Sequence, residues 1–93
     1  MIRSFKDHVT EAVFRGESPK GFPSDLVKMT RRKLGYLDAA ADLRDLRQPP
    51  GNRLEALKGN RQGQHSIRIN DQFRICFQWT PQGPTGVEVT DYH

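Results

Sequence analysis

A pair of consecutive prolines, Pro49 and Pro50, divides this 93-residue sequence into two parts with different periodicity. Before the pair, apolar residues recur at spacings of three to five, which is typical of amphipathic helices. After it, apolar and polar residues alternate, which predicts strands buried on one face. Because consecutive prolines cannot continue a helix, the two parts must form separate elements. The sequence therefore predicts an α+β domain.

The first part predicts a short strand over residues 2–5, followed by two helices. Asp7 is the expected N-cap of the first helix, which ends near Arg15. Ser24 is the expected N-cap of the second helix, which continues into the early forties, and Asp42 caps one further turn. The apolar stripe of the second helix is expected to comprise Leu26, Met29, Leu34, Leu37, Ala40 and Ala41.

The second part predicts an antiparallel meander with strands near residues 54–57, 65–70, 73–79 and 87–90. Residues 80–86 are expected to form a loop, since they contain two prolines and two glycines. The fold class predicted is α+β, with a short N-terminal strand and two helices packed on one face of an antiparallel sheet. Alternation leaves the other face polar and available.

Length and composition limit the class of protein. A chain of 93 residues is predicted to form a single domain, 1–93. One cysteine, Cys76, cannot form an internal disulfide, and the sequence has no apolar stretch typical of a signal peptide or membrane span. A cytoplasmic location without membrane contact is expected. No nucleotide-binding glycine loop or metal-ligand cluster is apparent, so we expect neither a cofactor nor a metal site.

The net charge of +4 is unevenly distributed. Residues 53–79 carry five basic and only two acidic side chains, and Arg68 and Arg74 lie on the polar sides of adjacent predicted strands. Converging guanidinium groups suit phosphate, although a solvated sheet face explains the same pattern. The five bases are Arg53, Lys58, Arg61, Arg68 and Arg74. A second basic cluster, Lys28, Arg31, Arg32 and Lys33, is interpreted as the solvated face of the second helix.

RNA cleavage is the natural candidate for an enzyme without a cofactor, because RNA carries its own nucleophile, the 2′-OH. The protein must then supply a base, an acid and a cation for the transition state. Residues of these types are Glu55, Lys58, Arg74, Asp91, Tyr92 and His93.

Four segments together resemble one family. They are residues 57–63 (LKGNRQG), 66–70 (SIRIN), 73–77 (FRICF) and 91–93 (DYH). In combination they resemble the HigB toxins of the RelE/ParE superfamily, in the branch of plasmid-maintenance killer proteins. The resemblance covers nearly the whole chain, and the combination is more specific than any one segment.

The resemblance implies a microbial-RNase-like α+β fold and a toxin that inhibits translation by cleaving mRNA on the ribosome. It also implies a HigA-like antitoxin with a helix-turn-helix domain, which neutralises the toxin and represses the operon. Operator DNA would be contacted only through that antitoxin. The family's site residues match Asp91, Tyr92, His93 and Arg74, with Lys58 and Arg61 in the basic loop.

Glu55 departs from the family pattern, since relatives carry a catalytic histidine there. With an ordinary pKa of about 4.3, a glutamate is a poor acid at neutral pH. We therefore expect Glu55 to act as a base, or His93 to carry more of the acid–base work, or the toxin to cleave slowly. Arg74 would stabilise the scissile phosphate, while Asp91 and His93 share acid–base work. Two alternatives remain open: a ParE-like toxin that binds gyrase, and a weakly active growth inhibitor that binds ribosome or RNA.

Overall fold

The computed structural model describes residues 1–91. Within that range two α-helices precede four strands, which form one antiparallel sheet in the order β1-β2-β3-β4. The helices are α1, His8–Phe14, and α2, Val27–Ala39. The strands are β1, Glu55–Ala56; β2, His65–Arg68; β3, Phe73–Thr80; and β4, Gly83–Asp91. The predicted α+β fold is confirmed.

Both helices pack on the same face of the sheet, around one apolar core. The alternation predicted for the strands determines which side chains enter it, because successive residues point to opposite faces. The fully buried core residues are Val13, Leu34 and Leu37 from the helices and Ile67, Ile75, Phe77 and Val87 from the sheet. Burying each such side chain stabilises the fold by about 1.5–3 kcal/mol. The polar positions of the strands are thereby left on the opposite face.

The predicted N-terminal strand is not formed as a regular strand. Residues 3–6 instead lie extended and parallel to the outer edge of β4, with one bridge between Phe5 and Val87. Val87 donates its backbone N–H to the Ser4 carbonyl (3.1 Å), and Lys6 donates to the Val87 carbonyl (2.9 Å). These bonds satisfy an edge of β4 that would otherwise be unpaired.

A bulge in β4 explains why the N-terminal pairing stays short. Cys76 pairs with Glu88 and Gln78 with Thr85, so two steps along β3 correspond to three along β4. The extra length is accommodated at Gly86, whose φ of 62° lies in the left-handed region. A regular parallel ladder cannot continue past this change of direction.

The connection between β3 and β4 is shorter than predicted. The predicted loop over residues 80–86 is wrong, because only Pro81 and Gln82 lie between the strands. Thr80 holds the turn together: its hydroxyl donates to the Gly83 carbonyl (2.7 Å) and accepts from the Gln82 N–H (3.2 Å). Pro84 fits within β4 because its position on the edge needs no N–H donor there.

Helix α1 begins as predicted, with the Asp7 carboxylate accepting from the Thr10 N–H (3.3 Å). Thr10 is fully buried, and its hydroxyl accepts the backbone N–H of Val89 in β4 (3.0 Å). This bond continues the protection of the β4 edge beyond the N-terminal segment.

Helix α2 differs from the prediction at both ends. Ser24 makes no capping hydrogen bond but starts a 3₁₀ turn, Ser24–Leu26, and the α-helix begins only at Val27. The helix stops at Ala39 because the Asp45 carboxylate takes the N–H groups of Ala41 (2.9 Å) and Asp42 (3.1 Å). These bonds belong to a capping box that starts the 3₁₀ helix Leu43–Arg47, the further turn predicted from Asp42.

The inward face of α2 also differs from the predicted stripe. Its buried residues are Val27, Thr30, Lys33, Leu34 and Leu37, whereas Met29 is 38% exposed and Ala41 lies beyond the helix. Because Lys33 is only 6% exposed, the predicted solvated basic cluster is wrong at this position.

Arg31, a second member of that cluster, folds back onto α1. Its side chain donates to the carbonyls of Val13 (3.0 Å) and Glu17 (3.3 Å) near the C-terminal end of that helix. Two of the four cations predicted to be solvated therefore have structural partners.

Candidate active site

The candidate active site lies on the sheet face opposite the helices. Strand register sets Glu55 opposite Ser66, and Arg68 opposite Arg74, on neighbouring strands. In the same register Thr90 of β4 pairs with Arg74 from the other side. Arg68 and Arg74 lie on one face of the sheet, as predicted, since the two residues are direct cross-strand partners.

Arg74 is held by three neighbours. Its Nε donates to the Ser66 hydroxyl (2.7 Å), and its Nη2 donates to the backbone carbonyl of Arg53 (2.6 Å). The same Nη2 lies 3.2 Å from a carboxylate oxygen of Glu55. The side chain is only 11% exposed, and within residues 1–91 Nη1 has no hydrogen-bond partner. The guanidinium is thus fixed in place with one nitrogen left to bind an anion.

Among the side chains of this cluster, that of Glu55 is the exposed one. Its side chain is 56% exposed, in contrast to the nearly buried Arg74. It comes from the two-residue edge strand β1, so only one neighbouring strand restrains it. The carboxylate therefore faces both solvent and the cation, as a group that exchanges protons with a substrate must.

The other predicted basic residues differ in whether an acidic side chain pairs with them. Arg68 pairs with Asp71 in the β2–β3 turn. Lys58 is exposed and has no ion-pair partner within the described range. The Arg53 side chain is likewise exposed, but its contribution to the site is the backbone carbonyl that binds Arg74.

The side chain of Arg61 extends across the sheet and forms an ion pair with Glu88 of β4. It lies between β1 and β2, yet it reaches Glu88 on β4 (3.2 Å) and Gln64 (3.1 Å). Glu88 also binds Lys6 (3.2 Å). Since Glu88 is opposite Cys76, the connection from β1 to β2 crosses over the middle of the sheet.

This crossing changes the prediction that the polar face is open. Ser66 and Cys76 are fully buried, and Leu57 is buried outside the main apolar core. The open part of the face is therefore the end that carries Glu55 and Arg74.

Asp91 is at the end of β4, opposite Phe73 and one residue beyond the Thr90–Arg74 pair. Its carboxylate accepts a hydrogen bond from Gln72 Nε2 (3.0 Å). The predicted site residues Tyr92 and His93 lie outside the described residues.

Three contributors to the site were missed by sequence reasoning. Ser66 could have been found from the sequence, because strand alternation places it on the same face of the sheet as Arg74. The Arg53 carbonyl could not have been found, since backbone atoms are the same in every residue and its φ of 45° is unusual for a side-chain-bearing residue. The third is the buried pair of Lys33, in α2, and Asn52, in the turn preceding Arg53.

Two features are absent from residues 1–91. No cluster of three or more His, Cys, Asp or Glu side chains is arranged to hold a metal ion. No helix in the same range has the length and apolar character to cross a membrane.

An α+β domain with two helices packed on a four-stranded antiparallel sheet is consistent with the fold of the RelE-like toxins. The sequence model of one family, described as the RelE-like toxin of the type II toxin–antitoxin system HigB, matches residues 3–93. The chain belongs to this HigB-like toxin family. A toxin of such a system has an antitoxin as its partner.

Two relatives are similar over most of their length. Toxin HigB-1 of Vibrio cholerae is 45% identical over 80 residues, which are 85% of this chain and 84% of the relative. The Endoribonuclease HigB of Proteus vulgaris is 30% identical over 93 residues, the whole of both chains.

Proposed function

We propose that this single-domain toxin is an endoribonuclease that cleaves mRNA on the ribosome and thereby arrests translation and growth. The observation that carries the proposal is Arg74, a nearly buried cation held by three neighbours with Nη1 left over for a phosphate. Family membership and the name of the Proteus vulgaris relative support the same activity.

The reaction uses the nucleophile that RNA provides. The 2′-oxygen forms a bond to phosphorus while the bond from phosphorus to the 5′-oxygen breaks. A base takes the proton of the 2′-OH, and an acid gives a proton to the departing 5′-oxygen. Arg74 would stabilise the extra negative charge on the phosphate oxygens, the kind of interaction that usually contributes most to catalysis. This scheme requires no metal ion or cofactor.

The remaining roles follow from residue chemistry and the family resemblance. Asp91 and His93 would share the acid–base work, and Tyr92 would stack on or orient an RNA base. Glu55, beside Arg74, is the candidate for the base that activates the 2′-OH. The cations that would bind flanking phosphates are Arg53, Lys58, Arg61 and Arg68.

The antitoxin partner is proposed to be HigA-like, with a helix-turn-helix domain. It would neutralise the toxin and repress the operon, so that the toxin reaches operator DNA only through it. The complex is proposed to act in the cytoplasm, where mRNA and ribosomes are found.

Replacement of Arg74 tests the proposed function. We expect Arg74→Gln to lower the rate of mRNA cleavage by about 10²–10³-fold, because it removes the charge that stabilises the transition state. Cleavage is measured by mapping new 5′ ends in translation reactions with purified ribosomes. Lys28→Gln is the matched control, since this exposed lysine lies on α2, away from the site.

An Arg74→Gln variant that keeps its fold by circular dichroism and cleaves at the parent rate would contradict the assignment. Equal cleavage of mRNA with and without ribosomes would contradict only the ribosome dependence. If induced cells show DNA damage and no new mRNA ends, a ParE-like interaction with gyrase is favoured instead.

A further inference from the structure

A buried polar pair joins α2 to the turn that precedes Arg53 of the candidate site. Lys33 of α2 is 6% exposed and Asn52 is fully buried, and Lys33 Nζ donates to Asn52 Oδ1 over 2.6 Å. The Asn52 amide in turn donates to the carbonyls of Leu46 (3.2 Å) and Gln48 (3.1 Å). Each polar atom of the Asn52 side chain is therefore satisfied, as a buried amide requires.

Burying the Lys33 ammonium group costs more free energy than filling the same space with apolar side chains. Desolvation lowers the pKa of Lys33 first, and the charges of Arg68 and Arg32 lower it further. An apolar pair of similar volume would fill the same space without burying an ammonium group. The pair thus points to a requirement for a defined backbone position rather than for burial alone.

The backbone that the pair holds leads directly to Arg74. Asn52 ends a 3₁₀ turn, Pro50–Asn52, and Arg53 follows in the left-handed region with its N–H bonded to the Pro50 carbonyl (3.1 Å). The carbonyl of Arg53 itself accepts the 2.6 Å hydrogen bond from Arg74 Nη2. Only one peptide unit separates Asn52, whose side chain is held by three hydrogen bonds, from the Arg53 carbonyl.

We propose that Lys33 and Asn52 are positioning residues that hold the Arg53 carbonyl against Arg74 and so fix the guanidinium for the phosphate. The effect on catalysis rests on the proposed function, whereas the effect on Arg74 does not. Of the three neighbours of Arg74, Glu55 is mostly exposed and Ser66 is neutral. When the carbonyl shifts, the guanidinium turns towards Glu55 and Nη1 no longer points at the substrate.

Asn52→Asp and Lys33→Met test this inference. Asn52→Asp keeps an acceptor for Lys33 but sets oxygen against the Leu46 and Gln48 carbonyls, so the turn must move. Lys33→Met keeps the length of the chain and removes the donor. We expect kcat to fall about 10- to 100-fold with little change in KM, because a misplacement of about 1 Å is enough for such a loss. The conservative variant Lys33→Arg keeps a donor for Asn52 and should therefore retain much of the parent kcat.

The second measurement is the ¹⁵N–¹H signal of Arg74 Nε, recorded without RNA. A shifted or broadened signal in folded Asn52→Asp or Lys33→Met is expected, and Lys28→Met should leave it unchanged. An unchanged signal and parent kcat in a folded variant of either kind would overturn the inference while leaving the proposed function intact. If the signal shifts in the variants but the parent protein cleaves no RNA, the positioning role is supported and the endoribonuclease activity is contradicted. If Asn52→Asp does not fold, the kcat and the Arg74 Nε signal of Lys33→Met test the inference.

Discussion

The ion pair between Glu55 and Arg74 brings together the residue that departs from the family pattern and the residue proposed to bind the scissile phosphate. A phosphate that approaches Arg74 meets a carboxylate 3.2 Å from the same guanidinium. In the proposed reaction, Glu55 therefore has two opposite effects: it would accept the 2′-OH proton, and it would repel the substrate phosphate.

Glu55→Gln separates these effects, because it removes the charge and keeps the shape. We expect KM to fall, since phosphate repulsion is removed, and kcat to fall about 10²–10⁴-fold, the usual contribution of a general base. Steady-state cleavage kinetics measure both constants, and Glu17→Gln on an exposed loop is the control. Were kcat to stay the same or rise, Glu55 would be an ion-pair partner of Arg74 only.

Side-chain parity is the part of the site that sequence alone could predict. Arg68 and Arg74 were assigned to one face because strand residues alternate, and the register confirms it. The Lys33–Asn52 pair could not be predicted, because a lysine among polar helix residues has the pattern of a solvated one. Its burial depends on the turn at residues 50–53, which is far from α2 in sequence.

At the scale of elements, both helices and the four strands of the sheet were predicted, whereas several of their limits were not. Strand alternation is a direct consequence of burying one face, whereas helix limits depend on competing local hydrogen bonds. Asp45 illustrates this: its carboxylate binds N–H groups beyond Ala39, and α2 ends earlier than its composition indicates. The bulge at Gly86 likewise has no signal beyond the glycine itself.

The turn between β3 and β4 offers a test of how tightly the N-terminal segment packs. Gly83 has a φ of 126°, and a Cβ there would lie 2.3 Å from the Met1 carbonyl oxygen. We expect Gly83→Ala to lower the free energy of unfolding by about 2–4 kcal/mol, from left-handed strain and overpacking together. Chemical denaturation measures the loss.

Gly86→Ala is the matched control, since Gly86 also has a positive φ, 62°, but nothing lies within 4 Å of its added Cβ. It should cost only about 1–2 kcal/mol, the strain alone. Equal losses in the two variants would mean that Met1 does not pack against Gly83.

Considered as a whole, the molecule separates cations that are used for structure from cations that are left exposed. On the helix layer Lys33 and Arg31 are used for structure. In the connection between β1 and β2, Lys58 stays exposed, whereas Arg74 of β3 is nearly buried. The net charge of +4 is therefore less informative than the location of the cations that remain free to bind RNA.

Salt dependence of RNA binding tests this separation. We expect Lys58→Gln to reduce the slope of log K against log salt by about 0.7, the contribution of one phosphate contact with a single strand. Fluorescence anisotropy with a 2′-O-methyl RNA, which cannot be cleaved, gives the slope. Lys28→Gln, on the helix layer, should leave the slope unchanged. A Lys58→Gln slope equal to that of the parent would exclude Lys58 from the RNA contact.

The pairing of residues 3–6 with β4 determines when the fold can be completed. Ser4 accepts a hydrogen bond from the N–H of Gly86, 82 residues further along the chain. Contacts between such distant residues slow folding, because the whole intervening chain must be ordered first. While a ribosome is still making the chain, its first segment has no partner. The edge of β4, and with it the Thr90 position beside Arg74, therefore forms only after nearly all of this sequence has been synthesised.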